Sequence, residues 1–358
     1  MIELWFILLV FMLSMFVILD GFDFGAGILH LFVAKTEKEK KQAIRAIGPF
    51  WDANEVWLVA GGGVLFMAFP KYYAASFSGF YLPLIMVLWF LIMRGVGLEL
   101  RSSFNHQMWH TIWDKVFGVA SLLLALFFGT AMGNVIRGAN LGGVVDGVSK
   151  YEPHNFFLPL WNSRFSPLHQ DPGVLDWFTL SIGAIAVVTL TIHGANWILF
   201  KTEGDLNPKL KKLIPRLFFV LIPLLALSLV EVFMIKDYVF ENFGKYPITL
   251  IFPLISLTGL FGIYYFNKKG KHKEAFWSSS AFIMAGLACN AVGLFPKLLP
   301  STNSVNGPIT IYNASSTSYG LSVAIIWWIV ALILVTIYFT FVHKMFRGKL
   351  DESLDYEH

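Results

Sequence analysis

Acidic side chains recur at short spacing inside segments of this chain that are otherwise apolar. Asp20 and Asp23 lie three residues apart, and Asp52 and Glu55 repeat that spacing. Residues three apart share one face of a helix. A carboxylate near the centre of a membrane helix costs about 2.5–3.5 kcal/mol, so such groups usually face water or protein and often move protons or ions. The spacing therefore points to proton or ion chemistry within a membrane.

A third apolar segment adds Arg94 and, five residues later, Glu99. Two carboxylates against one arginine leave excess negative charge, which favours an acid that is protonated or solvated. We therefore predict a hydrated chain of carboxylates that passes protons from the cytoplasmic side, with Arg94 holding one of them ionised. The alternative is a closed buried ion network that fixes helix packing and carries nothing.

The composition is that of an integral membrane protein. Of 358 residues, 56% are hydrophobic and 14% are charged, and the mean hydropathy is +0.64. We predict nine transmembrane helices, because nine windows have the length of about 20 apolar residues that crosses a bilayer. They lie near residues 3–34, 50–70, 75–98, 116–136, 175–200, 214–235, 247–266, 275–296 and 320–342. The first window is expected to persist in the mature chain. Its amino-terminal side carries the acidic residue Glu3 and no basic residue, and no small-residue cleavage site follows it, so it does not have the features of a cleaved signal peptide.

The basic residues predict the orientation. Most Lys and Arg residues fall near 35–49, 99–115, 201–216 and 267–274 and after residue 342. Basic residues accumulate on the cytoplasmic side, so the amino terminus is predicted outside and the carboxyl terminus inside. Because these residues lie against an anionic inner leaflet, the net charge of +4 requires no nucleic-acid partner.

Metal and haem ligands are scarce in the sequence. Cys289 is the single cysteine, so no internal disulfide or cysteine-based metal site can form. His30 and His193 are the histidines inside predicted spans, and a packing or hydrogen-bonding role is expected for His193. The outer connections 137–174 and 297–319 are rich in turn-forming residues and are predicted to be loops. We therefore predict no metal site and one polytopic membrane domain over residues 1–358.

Five motifs resemble subunit II of the cytochrome bd quinol oxidases in their order and spacing. They are LDGFDFGAGIL at 19–29, FWDANEVWL at 50–58, FSGFYLP at 77–83, RGVGLELRS at 94–102 and LFPKLLPST at 294–302. The resemblance covers essentially the whole chain. It implies an all-α integral membrane protein with two four-helix bundles plus one peripheral helix, located in the bacterial inner membrane.

The resemblance also implies partners and cofactors. A haem-bearing subunit I is expected to hold haem b and haem d, to oxidise quinol and to reduce oxygen to water, while this chain ligates no haem. Relatives imply quinol and lipid as further partners, with a bound quinone and small single-helix accessory subunits as additional components. The expected role of this chain is to stabilise subunit I and to contribute to proton uptake.

The same resemblance assigns proton uptake from the cytoplasm to Asp52 and Glu99. The family usually has Gly where Ala53 stands and often Asp where Glu99 stands, so water access is expected to differ here. Asp20, Asp23 and Glu55 extend the predicted pathway, with Arg94 as the charge partner. The residues expected to pack around it are Trp51, Asn54, Trp57, Gly21 and Gly25.

Two other functions fit the intramembrane charges. In a secondary transporter, Asp20, Asp23 and Asp52 would form a coupled ion site. Against that function, the sequence shows no inverted repeat and predicts no broken helix pair. In a purely structural subunit, the same charges could be neutralised without any kinetic effect.

Overall fold

The structure is a computed structural model that describes residues 1–350. The last eight residues of the predicted domain 1–358, and with them the predicted cytoplasmic carboxyl terminus, lie outside the described residues. Most of the described part of the chain is helical, as predicted.

Thirteen α-helices occur within residues 1–350. They are α1 (Ile2–Phe32), α2 (Glu37–Ile47), α3 (Trp51–Ala68), α4 (Pro70–Gly79), α5 (Tyr81–Arg101), α6 (Gln107–Arg137), α7 (Trp177–Lys201), α8 (Asn207–Ile235), α9 (Glu241–Lys245), α10 (Ile251–Lys268), α11 (His272–Leu294), α12 (Ile311–Ala314) and α13 (Ser318–Met345). Short 3₁₀ helices cover Leu141–Gly143, Asp237–Phe240 and Pro247–Leu250. The strands β1 (Lys297–Leu299) and β2 (Ile309–Thr310) pair antiparallel.

Eight of these helices are long and apolar enough to cross a membrane, and the bent pair α3 and α4 brings the number to nine if it counts as one span. The chain direction bends by 119° between the two helices of that pair. Pro70 explains the break, because proline lacks the backbone N–H that would continue α3 and is well tolerated in the first turn of a new helix. The prediction that no broken helix pair occurs was wrong. The predicted span 75–98 also begins too early, because residues 75–79 belong to α4.

Glycines allow α1 to pack at the centre of the molecule. A Cβ atom at Gly25 would lie 2.0 Å from the Leu190 carbonyl oxygen and 2.9 Å from the Gly194 Cα atom. A Cβ atom at Gly21 would lie 2.8 Å from a Leu190 methyl group. Small residues let membrane helices approach closely, and Gly21 and Gly25 allow α7 to do so at this part of α1.

The spans form two groups, and α7 of one group packs against both α6 and α1 of the other. The first contains α1, α3, α5 and α6, and the second contains α7, α8, α10 and α11. The most exposed of the described spans, α13, lies at the edge. Its contacts with the first group include edge-on pairs between Trp328 and Trp5 and between Phe339 and Trp57.

The connections between spans meet at two opposite ends. At one, called here the basic end, Gln42 hydrogen-bonds to Asn207 at 2.7 Å, so the connection after α1 contacts the connection after α7. At the other, called the loop end, the Asn242 side chain donates to the Phe295 carbonyl at 2.5 Å. The basic end collects the connections that the sequence assigns to the cytoplasm. Its cytoplasmic location stays a prediction.

Candidate functional site

Arg94 lies at the centre of a buried ion cluster to which three helices contribute. Its Nη1 donates to Asp20 Oδ1 at 2.5 Å, and its Nη2 donates to Glu55 Oε2 at 3.0 Å. Asp20 is completely buried, Arg94 is 2% exposed and the Glu55 side chain is 29% exposed. The guanidinium also lies 4.8 Å from the centre of the Phe24 ring. The structure therefore brings Asp20, Glu55 and Arg94 together from α1, α3 and α5.

Asp23 lies beside this cluster, one turn further along α1, and is completely buried. Its Oδ2 accepts a hydrogen bond from Asn54 Nδ2 at 2.9 Å, and Asn54 also donates to the Leu19 carbonyl at 3.2 Å. Within residues 1–350, Asp23 Oδ1 and Asp20 Oδ2 accept from no N–H or O–H donor, and the Asp20 and Asp23 side chains lie within hydrogen-bond reach of each other, so that they can share a bound proton. A buried polar atom without a partner carries a desolvation cost of about 1–3 kcal/mol, and a bound proton or a water molecule removes it. Both acids therefore have an oxygen available for proton exchange.

The charges of the cluster do not balance. Asp20, Asp23 and Glu55 supply three carboxylates, whereas Arg94 supplies one positive charge. An uncompensated charge in a low-dielectric interior is expensive, so bound protons are the simplest compensation. The arrangement can thus hold and exchange a proton, with Glu55 as its partly exposed edge.

Asp52 lies in the first turn of α3 and is exposed in the described chain. It lines an open groove of about 790 Å³ between α3 and α13, and it is the one charged residue among those that line it. The rest of the lining is apolar and aromatic and includes Trp57, Trp328 and Phe339. Trp57 is buried, and half-buried Trp51 precedes Asp52. Asp52 is therefore adjacent to Glu55 on α3 without belonging to the Arg94 hydrogen-bond cluster.

Glu99 is exposed on α5. Five residues correspond to about 140° around a helix, so Glu99 points well away from buried Arg94. The predicted residues thus divide into two sets: Asp20, Asp23 and Glu55 gather around Arg94, whereas Asp52 and Glu99 lie on the surface of the described chain. The proposed roles of the two surface acids stay predictions.

Sequence reasoning missed a second ion cluster at the basic end. Asp114 Oδ1 lies 2.7 Å from His30 Nε2 and accepts from Arg101 Nε at 2.5 Å, and Asp114 Oδ2 accepts from Lys40 Nζ at 2.8 Å. Arg101 also reaches Glu37 at 2.5 Å. Arg101 and Lys40 were interpreted only as topogenic charges. The available signal was the position of His30 on the same helical face as Asp20 and Asp23.

A third cluster at the loop end joins α6 to α7. Arg137 is completely buried, donates to Asp176 and also donates to the Gly173 carbonyl at 2.8 Å. Asp176 caps the amino terminus of α7 by accepting from the Thr179 backbone N–H at 2.8 Å. Arg137 is the first residue of the predicted outer loop 137–174, and it is a buried structural cation. The satisfied helix cap and the close ion pair indicate a packing role.

The histidine and carboxylate positions bear on metal and haem binding. His193 is completely buried, with Nδ1 2.7 Å from Ser279 Oγ and Nε2 2.9 Å from the Ile18 carbonyl oxygen. Both ring nitrogens thus have protein partners, and the ring stacks on Phe276 at 4.8 Å. His193 therefore does not fit an axial haem ligand. Within residues 1–350, no three His, Cys, Asp or Glu side chains gather in a way that could hold a metal ion.

Comparisons with known proteins agree along nearly the whole chain. The family model described as cytochrome bd terminal oxidase subunit II matches residues 1–346. The chain is 30% identical to the cytochrome bd ubiquinol oxidase subunit 2 of Bacillus subtilis, over 90% of this chain and 88% of that protein. It is 28% identical to the cytochrome bd-I ubiquinol oxidase subunit 2 of Escherichia coli, over 94% and 91%.

Two further comparisons extend this similarity. The chain is 29% identical to a probable cytochrome oxidase subunit 2 of Haemophilus influenzae, over 98% of this chain and 95% of that protein. Its fold matches a chain in the solved structure of bd oxidase from Geobacillus thermodenitrificans with a TM-score of 0.74, covering 96% of this chain and 98% of that chain. The sequence identity to that chain is 14%, so this match concerns the fold alone.

Proposed function

The chain belongs to the cytochrome bd terminal oxidase subunit II family, and from that premise we propose that it stabilises the haem-bearing subunit and helps deliver protons to it from the cytoplasm. It is a multi-pass membrane protein and a subunit of an oxidoreductase complex that contains haem. The proposed location is the bacterial inner membrane. Haem b and haem d are assigned to subunit I.

The single observation that carries the proton role is the buried cluster around Arg94. Three carboxylates face one guanidinium inside the membrane-spanning part of the chain, and Asp20 and Asp23 each keep a buried oxygen that accepts from no N–H or O–H donor within residues 1–350. Ionisable residues at membrane depth usually mark a proton or ion pathway. A network built only for packing would be expected to pair its acceptors, as Arg137 and Asp176 do at the loop end.

The exposed acids support the proposed partner. Asp52 lies on a face of α3 where Val56 is 54% exposed and Val59 is 74% exposed. An acid on an apolar face would be costly against lipid, so a protein partner is the expected cover. Subunit I is the partner that the family supplies. In this arrangement protons enter near Asp52 and Glu99 at the basic end and pass by Glu55 to the buried acids.

The substitution Asp52→Asn tests this proposal. We expect oxygen consumption per haem to fall about tenfold in the purified complex, because the amide cannot exchange a proton, while haem content stays near that of the wild type. Asp205→Asn is the matched control, since Asp205 is a 66% exposed acid at the same end of the molecule. If haem loss parallels activity loss, Asp52 is structural and its proposed role is wrong.

The bent pair of α3 and α4 is the one observation that favours a secondary transporter. The bend, however, lies far from the buried acids that would form the ion site. Transporters build their ion sites where helices are broken near the bilayer midplane. Here the break at Phe69 follows Glu55 by fourteen residues, which is about 21 Å along a helix axis. The acids of the Arg94 cluster project from continuous helices. The oxidase role therefore accounts for the site better.

A further inference from the structure

The second ion cluster contains a histidine with one uncommitted nitrogen. His30 lies two residues before the end of α1 and is completely buried. Its Nε2 is 2.7 Å from Asp114 Oδ1, whereas Nδ1 is buried without a hydrogen-bond partner within residues 1–350. An ionised carboxylate can only accept, so Nε2 carries the hydrogen of the neutral ring and Nδ1 keeps its lone pair. The geometry thus leaves a base inside the protein.

The charges around His30 come from three helices, α6, α5 and α2. From α6, Asp114 contacts His30, and from α5, Arg101 binds Asp114 at 2.5 Å. From α2, Lys40 binds Asp114 at 2.8 Å and Glu37 binds Arg101 at 2.5 Å. His110 of α6 lies 3.7 Å from Glu37. The negative charges of the Asp114 and Glu37 carboxylates equal the positive charges of Arg101 and Lys40. An imidazolium at His30 would lie directly against the Asp114 carboxylate.

His30 also shares a helical face with the buried acids. Positions 20, 23, 27 and 30 lie within about 80° of one another on α1, and His30 follows Asp23 by about 10 Å along the axis. At Gly27, between them, an added Cβ atom would lie 2.1 Å from the Ser121 hydroxyl oxygen of α6. Ser121, whose hydroxyl donates to the Phe117 carbonyl at 2.8 Å, therefore packs against α1 at a level between Asp23 and His30.

We propose that His30 is a second proton-exchange site, separate from Asp52, that supplies protons from the basic end to Asp23. A proton from water binds the Nδ1 lone pair and gives an imidazolium paired with Asp114. The same proton then leaves Nδ1 for the Asp23 carboxylate by way of water and the Ser121 hydroxyl, and His30 returns to its neutral form. The Phe117 ring lies edge-on to His30 with ring centres 5.5 Å apart, so the proposed transfer passes beside this ring.

This inference rests on the proposed proton role of the chain, and His30→Gln tests it in the purified complex. Glutamine can still donate to Asp114 but cannot bind a proton, so packing is kept and exchange is lost. We expect normal haem content, with turnover per haem near wild type at about pH 6 and at least about threefold lower near pH 9, where protons are scarce. His272→Gln is the matched control, because His272 also lies at the basic end with a buried Nδ1 that lacks a partner within residues 1–350.

The double variant with Asp52→Asn tests whether the two proton routes are separate. Independent routes predict that the double variant loses more turnover than the product of the single losses, because each route compensates for the other. A double variant no slower than Asp52→Asn alone contradicts a separate route. Wild-type turnover at every pH in His30→Gln, or haem loss that parallels activity loss, overturns the inference. A wild-type complex without oxygen uptake would instead reject the proposed function itself.

Discussion

At the scale of single residues, Arg94 is the counter-ion that stabilises the buried acids next to one another. Its guanidinium makes two charge-assisted hydrogen bonds in different directions, to Asp20 and to Glu55. We predict that Arg94→Met destabilises the folded chain by about 3–5 kcal/mol, because it leaves buried carboxylates without their counter-ion. The measurement is the yield of monodisperse complex after detergent extraction and size-exclusion chromatography.

Arg94→Lys is the informative control for that prediction. Lysine keeps the charge but lacks the planar fork that binds two carboxylates at once, so an intermediate yield is expected. A normal yield for Arg94→Met would show that the acids are already protonated or hydrated without Arg94. That result would contradict the ion-pair description of the cluster.

The sequence predicts part of this site well. A charge inside an apolar window is conspicuous, so the meeting of Asp20, Glu55 and Arg94 could be predicted from residue types and spacing alone. Asp114 and His30 escaped prediction, because their partners Lys40 and Arg101 also fit a topogenic role. The surface positions of Asp52 and Glu99 could not be derived either, since the spacing of residues along a helix does not state which face a neighbour covers.

At the scale of elements, the short helix α2 is held to α8 by one buried acid. Glu39 is 3% exposed, accepts from the backbone N–H groups of Lys35 and Thr36, and binds Lys209 at 2.5 Å. Burial alone would raise the pKa of the Glu39 carboxyl, but the Lys209 ammonium and the two N–H groups outweigh burial and lower that pKa to about 2. The folded state therefore prefers ionised Glu39.

A pH dependence of stability follows from that lowered pKa. The stabilisation is fully present above the ordinary Glu39 pKa of 4.5 and is lost as the pH falls towards about 2. We predict that the Glu39→Gln variant has a lower melting temperature than the wild type at neutral pH. The difference between the two melting temperatures is expected to become smaller as the pH falls below 4.5. Thermal melting of both proteins at several pH values measures this. Exposed Glu274→Gln is the control, and a difference that stays constant with pH would contradict the prediction.

The segment after α13 shows how elements are tied together without a sequence signal. Lys349 Nζ donates to the Leu199 carbonyl at 2.7 Å and to the Thr202 carbonyl at 2.9 Å, and the Leu350 backbone N–H donates to the Lys201 carbonyl at 2.7 Å. These carbonyls at the end of α7 lack helical partners, so residues 349–350 satisfy them. Hydropathy predicts which segments form membrane helices. It does not predict this contact or the break at Pro70, because both depend on backbone geometry.

At the scale of the whole molecule, the fold has two helix groups in which α7 of one packs against α1 and α6 of the other. Hydropathy and basic residues could predict the membrane class and the number of spans, if the bent pair counts as one. The grouping of helices and the oxidase role came from the resemblance, which the family match then confirmed. The proposed proton role belongs to the assembled complex, because the proposed route continues into subunit I.

The most direct test of that role is proton uptake and turnover per haem in a complex that carries Asp23→Asn. Asparagine has the shape of the acid and can still accept from Asn54, so the Arg94 cluster and the haem content are expected to persist. If the buried carboxylates carry protons, turnover and proton uptake per haem both fall about tenfold relative to Asp205→Asn. Full turnover per haem in the Asp23→Asn complex would show that the cluster is a closed packing network and would contradict the account.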